Sequence, residues 1–133
     1  MRRAYRPVLL AGVMFMGLGA AAPAPAAGDA IRGKAIYSRC LACHALAYDR
    51  TGPRHCGLFG RKAGSVPGFS YSEAMKNANI TWTEDTLNAF LTAPMKAVPG
   101  TSMGYAGIPD PQERSDLIAY LKQQNTSPTC AGK

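Results

Sequence analysis

The stretch RCLACHAL, residues 39–46, sets Cys40 and Cys43 two residues apart with His44 directly behind. The chain has only four cysteines and two histidines, so this short segment holds half of each. Three chemistries use such a cluster: a dithiol redox centre, a structural metal site, and covalent attachment of a porphyrin. Compartment and surroundings decide between them.

The compartment is legible at the N-terminus. Residues 1–6, MRRAYR, are basic; PVLLAGVMFMGLGAAA, residues 7–22, is a continuous apolar run; PAPAAG, residues 23–28, offers several Ala-x-Ala cleavage choices. That order reads as a secretory signal peptide over residues 1–27, cut between Ala24 and Gly28, with the mature domain at 28–133. A membrane anchor is the competing reading, since the run approaches the ~20 apolar residues that span a bilayer. Three glycines in the run and the Pro-Ala tail favour cleavage, which leaves no stable membrane insertion and a periplasmic product. Of the net charge of +7, three arginines belong to the leader; 12 basic side chains then face 8 acidic ones. A charge of that size, without a Lys/Arg run or an aromatic stripe, excludes nucleic acid as the expected partner.

Removal of the leader leaves 106 of the 133 residues, one small domain. Three helical segments are predicted in it. In GDAIRGKAIYSRC, Asp29 caps, and Ile31, Lys34, Ala35 and Ile36 recur at helical spacing. In WTEDTLNAFL, Thr83 caps, Glu84 and Asp85 favour the first turn, and Leu87, Phe90 and Leu91 form the apolar face up to Pro94. In DPQERSDLIAYLKQQ, Asp110 caps, Pro111 takes the first position, Glu113 completes a capping-box pattern, and Leu117, Ile118, Tyr120 and Leu121 make the buried stripe. Residues 72–77 give a weaker fourth signal. Between these lie long Gly- and Pro-rich stretches, residues 45–70 and 92–109, and no strand-like alternation persists. Short helices joined by long loops make too little core, so a disulfide, a metal or a large apolar cofactor must supply the rest.

That need favours haem at the cysteine motif. Cys-x-x-Cys-His is the spacing of c-type haem attachment: two thiols for the vinyl groups and an imidazole aimed at the iron. A redox Cys-x-x-Cys belongs at a helix opening after a strand. A zinc site needs further ligands, and only His55 with Cys56 forms a second cluster. A sixth ligand for the iron must come from a loop that crosses the ring. VPGTSMGYAGI, residues 98–108, is such a loop, and Met103 alone of the six methionines is embedded in Gly-rich surroundings.

Residues 28–123 resemble a class I cytochrome c of the mitochondrial and small bacterial type. CLACH, TGP, GLFGRK, PGFSYSEAMKN, ITWTEDTL, VPGTSMGYAGI and RSDLIAYLK occur in the family's order. The resemblance implies an all-α cytochrome c fold, three to five short helices and long loops wrapped around one covalent haem c held by Cys40 and Cys43. It implies His44 and Met103 as axial ligands, Pro53 holding His44 through its carbonyl, and Arg61, Tyr71 and Trp82 about the propionates with Thr101 bonding near them. Gly33 and Tyr37 would pack against Tyr120. The implied function is one-electron transport by a monomer, not catalysis. Its partners would be membrane or periplasmic redox proteins of cytochrome reductase, oxidase or reaction-centre type, met at the exposed haem edge. Two other readings stand beside it: a haem enzyme or gas sensor with a labile Met103, and an electron-entry subunit docked on a larger oxidoreductase.

The chain departs from that family at identifiable places. Met75 and Phe90 replace polar pocket residues, which predicts a less polar interior and a raised potential. The docking cations are few, Arg39 and Lys96 with Arg50 and Arg54 as replacements. His55 stands where an apolar residue is usual, and a surface or hydrogen-bonding role is expected of it. Cys56 and Cys130, an even leftover pair in a secreted domain, are expected to form a disulfide.

Overall fold

The computed structural model describes residues 26–133; the proposed signal peptide lies almost wholly outside them. Five helices follow one another: α1 (Ala30–Tyr37), α2 (Glu73–Lys76), α3 (Glu84–Thr92), α4 (Pro94–Ala97) and α5 (Pro111–Asn125), with a 3₁₀ turn at Ser38–Cys40. Among the described residues the only β pairing is one isolated antiparallel bridge, Lys62 to Thr81. No helix there is long and apolar enough to cross a membrane.

The three helices whose caps were expected, α1, α3 and α5, begin at them. The Asp29 carboxylate accepts from the Ile31 and Arg32 amides, Thr83 from Thr86, and Asp110 from Glu113. Two details differ. The box at α3 is closed by Thr86, whose hydroxyl accepts from the Thr83 amide at 2.8 Å. At α5 the Glu113 carboxylate does not turn back to its own cap. It takes a bidentate ion pair with Arg39 at 2.7 and 2.9 Å, a stronger partner than a backbone amide. The short helix α4 falls in a stretch expected to be loop; Pro94 occupies its first position, where a missing N–H costs nothing.

The framework is the crossing of α1 over α5. The buried face of α1 is Gly33, Ile36 and Tyr37, whereas Ile31 is 85% exposed, so the apolar spacing in the sequence misplaced the stripe. The reason is steric. A Cβ on Gly33 would lie 2.0 Å from the Asp116 carbonyl oxygen and 2.7 Å from the Tyr120 Cβ, so the helices meet where α1 has no side chain. The expected packing of Tyr37 on Tyr120 is present, ring centroids 5.2 Å apart. Asp116 locks the same crossing. Its buried carboxylate accepts from the Asp29 amide at 2.7 Å, from Arg32 at 2.7 and 3.0 Å, and from Gln112 at 3.0 Å. The Arg32 guanidinium holds this carboxyl well below the usual range.

Arg114 performs the corresponding task on the other side of α5. It is buried, and it donates to Asn88 of α3 at 2.8 Å and to the carbonyls of Ile108 and Pro109 at 2.7 and 2.9 Å. Ile108, 1% exposed, bonds Leu91 through its amide at 2.8 Å. The loop of residues 98–109 is thereby pinned at its far end. Beyond α5 the tail folds back, and a disulfide joins Cys130 to Cys56 across 74 residues, Cα to Cα 5.1 Å.

Gly33→Ala is expected to lower stability by about 1–3 kcal/mol in denaturant titration, because the added methyl meets backbone and not a movable side chain. Asp116→Asn should cost about 2 kcal/mol at neutral pH, the range for hydrogen bonds to a charged group. Because folding depresses the Asp116 pKa, its contribution is complete above the unfolded value of about 4 and drains as pH falls below it. The acid limb of stability against pH should therefore be flatter in Asp116→Asn than in the parent.

Candidate cofactor site

The cysteine motif continues directly from α1. After the 3₁₀ turn the chain makes one more tight turn, with the Cys43 and His44 amides both donating to the Cys40 carbonyl at 3.1 and 2.8 Å. His44 is 8% exposed. Its Nδ1 lies 2.8 Å from the Pro53 carbonyl oxygen, an acceptor only, so Nδ1 carries the proton and Nε2 is left with a lone pair. Burial lowers the His44 pKa, and the Pro53 bond only partly opposes it. The ring is thus neutral, in the tautomer a metal ligand requires. Gly52 admits it closely: a Cβ there would sit 2.3 Å from His44 Cε1.

This imidazole lines a cavity of about 500 Å³, in the range of small-molecule and cofactor sites. Cys40, Cys43 and Met103 line the same cavity, as do Pro53, Arg61, Tyr71, Trp82 and Thr101, so every haem-site residue expected from the sequence meets at one place. Neither Cys40 nor Cys43 is in a disulfide, and burial pushes the Cys40 thiol up to about 11. Apolar walls come from α3 and α5, where Phe90 meets Trp82 edge-on at 5.1 Å. Met75, 8% exposed, adds to this apolar lining.

Each of the other members has a visible support. Met103 is half-buried; its amide donates to Thr101 Oγ1 at 3.2 Å, and the Thr101 amide closes a turn on Val98 at 3.0 Å. The Thr101 hydroxyl therefore braces the loop around Met103. Trp82 and Arg61 are set side by side by backbone bonds, Trp82 amide to Arg61 carbonyl at 2.9 Å and Gly60 amide to Trp82 carbonyl at 2.8 Å. Arg61 donates to the carbonyls of Cys56 and Arg54 at 3.1 and 3.0 Å, while its buried Nε has no partner. The Tyr71 hydroxyl accepts from the Val66 amide at 3.4 Å.

These residues fit a covalently attached haem. The donor set is a neutral imidazole and a soft thioether, and two unbridged thiols stand on the same wall. Arg61 lines the cavity, and its cationic side chain suits an acidic group such as a propionate. The resemblance puts His55 beside the haem, with a surface or hydrogen-bonding role expected; the structure gives it a hydrogen bond to Tyr37 and a place against His44. Its ring stacks on His44, centroids 4.3 Å apart and planes at 21°. Of the expected docking cations, Arg39 is paired with Glu113 and Arg54 with Asp49, whereas Lys96 and Arg50 are exposed.

The cytochrome c family model matches residues 30–125. A cytochrome c2 of Blastochloris viridis is 47% identical over 110 residues, covering 80% of this chain and 87% of that protein. A cytochrome c of Euglena viridis is 49% identical over 98 residues, 71% of this chain and 96% of its own. Among solved structures, cytochrome cH from Methylobacterium extorquens superposes with a TM-score of 0.70 at 41% identity, over 72% of this chain and 99% of that one.

Gly52→Ala should force the His44 ring off the Pro53 carbonyl. We expect a lower yield of haem-loaded protein and a stability loss of about 1–3 kcal/mol, read by absorption and by denaturant titration.

Proposed function

The chain belongs to the cytochrome c family, and on that footing we propose that it is a periplasmic carrier whose haem is bound through Cys40 and Cys43 and ligated by His44 and Met103. It carries one covalently bound haem c and works as an electron carrier, not an enzyme. The observation that carries the ligand assignment is the convergence of a neutral His44, a half-buried Met103 and two unbridged thiols on a single cavity.

Bound there, the haem supplies a one-electron iron couple. The chain supplies everything else. Pro53 fixes the His44 tautomer and raises the basicity of Nε2. Thr101 and the turn on Val98 hold Met103 in a loop whose far end Ile108 and Arg114 anchor. His44 and Met103 would both hold the iron, which would leave no place on it for a substrate. The apolar walls and the thioether together favour a high potential, because neither stabilises additional positive charge. Arg61 would set a cationic side chain beside a propionate.

Cys43 and Leu41 are exposed and mark the side at which the haem edge would meet a partner. The partners we propose are redox proteins of reductase, oxidase or reaction-centre type. Arg39 and Arg54 are already paired with carboxylates, so charge here tunes the encounter rate more than affinity. The bond between Cys56 and Cys130 suits the oxidising compartment that a signal peptide implies.

Optical spectra of the mature protein test the ligation. The oxidised form is expected to show the weak long-wavelength band of methionine sulfur on iron, and the reduced form to ignore carbon monoxide. Met103→Ala should lose the band, bind carbon monoxide and titrate at a lower potential. A parent protein that lacks the band and binds carbon monoxide readily overturns the Met103 assignment and returns the enzyme or sensor reading.

A further inference from the structure

The bond from His44 Nδ1 to Pro53 is one point of attachment. It fixes the tautomer and the direction of one ring edge, but the imidazole can still pivot about that line. A second contact is needed to fix the plane of the ring. His55 makes it. We propose that His55 is the positioning residue that sets the rotation of the His44 imidazole, with Tyr37 as its anchor; this rests on His44 being the iron's ligand.

The two rings are nearly parallel, at 21°, with centroids 4.3 Å apart. A leucine or valine there would fill the same space without imposing a plane. His55 is itself held at both ends. Its Nδ1 lies 3.0 Å from the Tyr37 hydroxyl, and its amide donates to the Ala45 and Leu46 carbonyls at 3.1 Å each, in the segment that follows His44. Tyr37 cannot yield, being 3% exposed and packed on Tyr120 at the crossing of α1 and α5. The plane of the ligand is thus referred, through Tyr37 and His55, to the most rigid contact in the fold. The contact is one of shape, ring face against ring face.

Such a contact is visible where a merely structural one is not. In an oxidised low-spin haem the plane of the axial imidazole directs the unpaired spin, and the pattern of haem-methyl proton shifts reports that plane. The test uses the haem-loaded protein with Tyr37→Phe, His55→Leu and His55→Phe, with far-UV circular dichroism and reduced absorption confirming the fold. Tyr37→Phe deletes one oxygen that does not touch His44, yet it should redistribute the methyl shifts. His55→Leu should do so more strongly, and His55→Phe, which keeps an aromatic face, should lie nearer the parent. Parent-like shifts in both Tyr37→Phe and His55→Leu overturn the proposal. If His55→Leu does not fold, Tyr37→Phe decides alone. A parent spectrum without low-spin His/Met character overturns the ligand assignment along with it, whereas a normal parent with unmoved variants overturns the role of His55 only.

Discussion

The contact on which the molecule depends is the crossing of α1 over α5 at Gly33. The two helices are far apart in the chain, and only the missing side chain lets the Asp116 carbonyl and Tyr120 come so near. Asp116 then gathers the start of α1 into a network of charge-assisted hydrogen bonds. Because the cysteine motif begins one short turn after α1, the crossing also sets where the thiols and His44 stand. Arg39, inside that turn, is tied back to α5 by Glu113. Helix packing and cofactor geometry are one construction here.

The interior those helices enclose is shaped for a bound group. About 500 Å³ is bounded by side chains from α1, α2, α3 and α5 and from the loops between them. Leu87, Phe90 and Leu91 of α3 and Leu117 and Leu121 of α5 turn apolar surface to it, which a bound porphyrin would cover. The haem is therefore part of the core. This accounts for long loops without regular structure, which hold their shape by packing on the group and by individual anchors such as Arg114 and Ile108.

Much of this was legible in the sequence. Caps at Asp29, Thr83 and Asp110 announce helices because a side-chain acceptor at a helix start is a local, short-range feature. The motif around Cys40 and the loop around Met103 are likewise local, and both fall on the cavity. What escaped was set by distant partners. The buried face of α1 is centred on Gly33: the family resemblance placed it with Tyr37 against Tyr120, but the count of apolar residues did not, and Ile31 points to solvent. Glu113 answers Arg39 across 74 positions and leaves its own cap. The resemblance set His55 beside the haem, but its partners were not legible, since nothing in its neighbours announces Tyr37 or His44. Its one signal was position, two residues past Pro53 and at a place otherwise apolar.

The bond between Cys56 and Cys130 bears on how the protein is made. Four cysteines allow three ways of forming two disulfides, and the attachment proposed above needs Cys40 and Cys43 to stay reduced while the other two close. The productive bridge spans 74 residues, whereas Cys40 and Cys43 are near neighbours that would find each other first. An oxidising compartment thus pushes the nascent chain toward the wrong pair. Maturation has to hold one pair of thiols open while the other is sealed. The order of assembly, not only its end point, is under physical constraint.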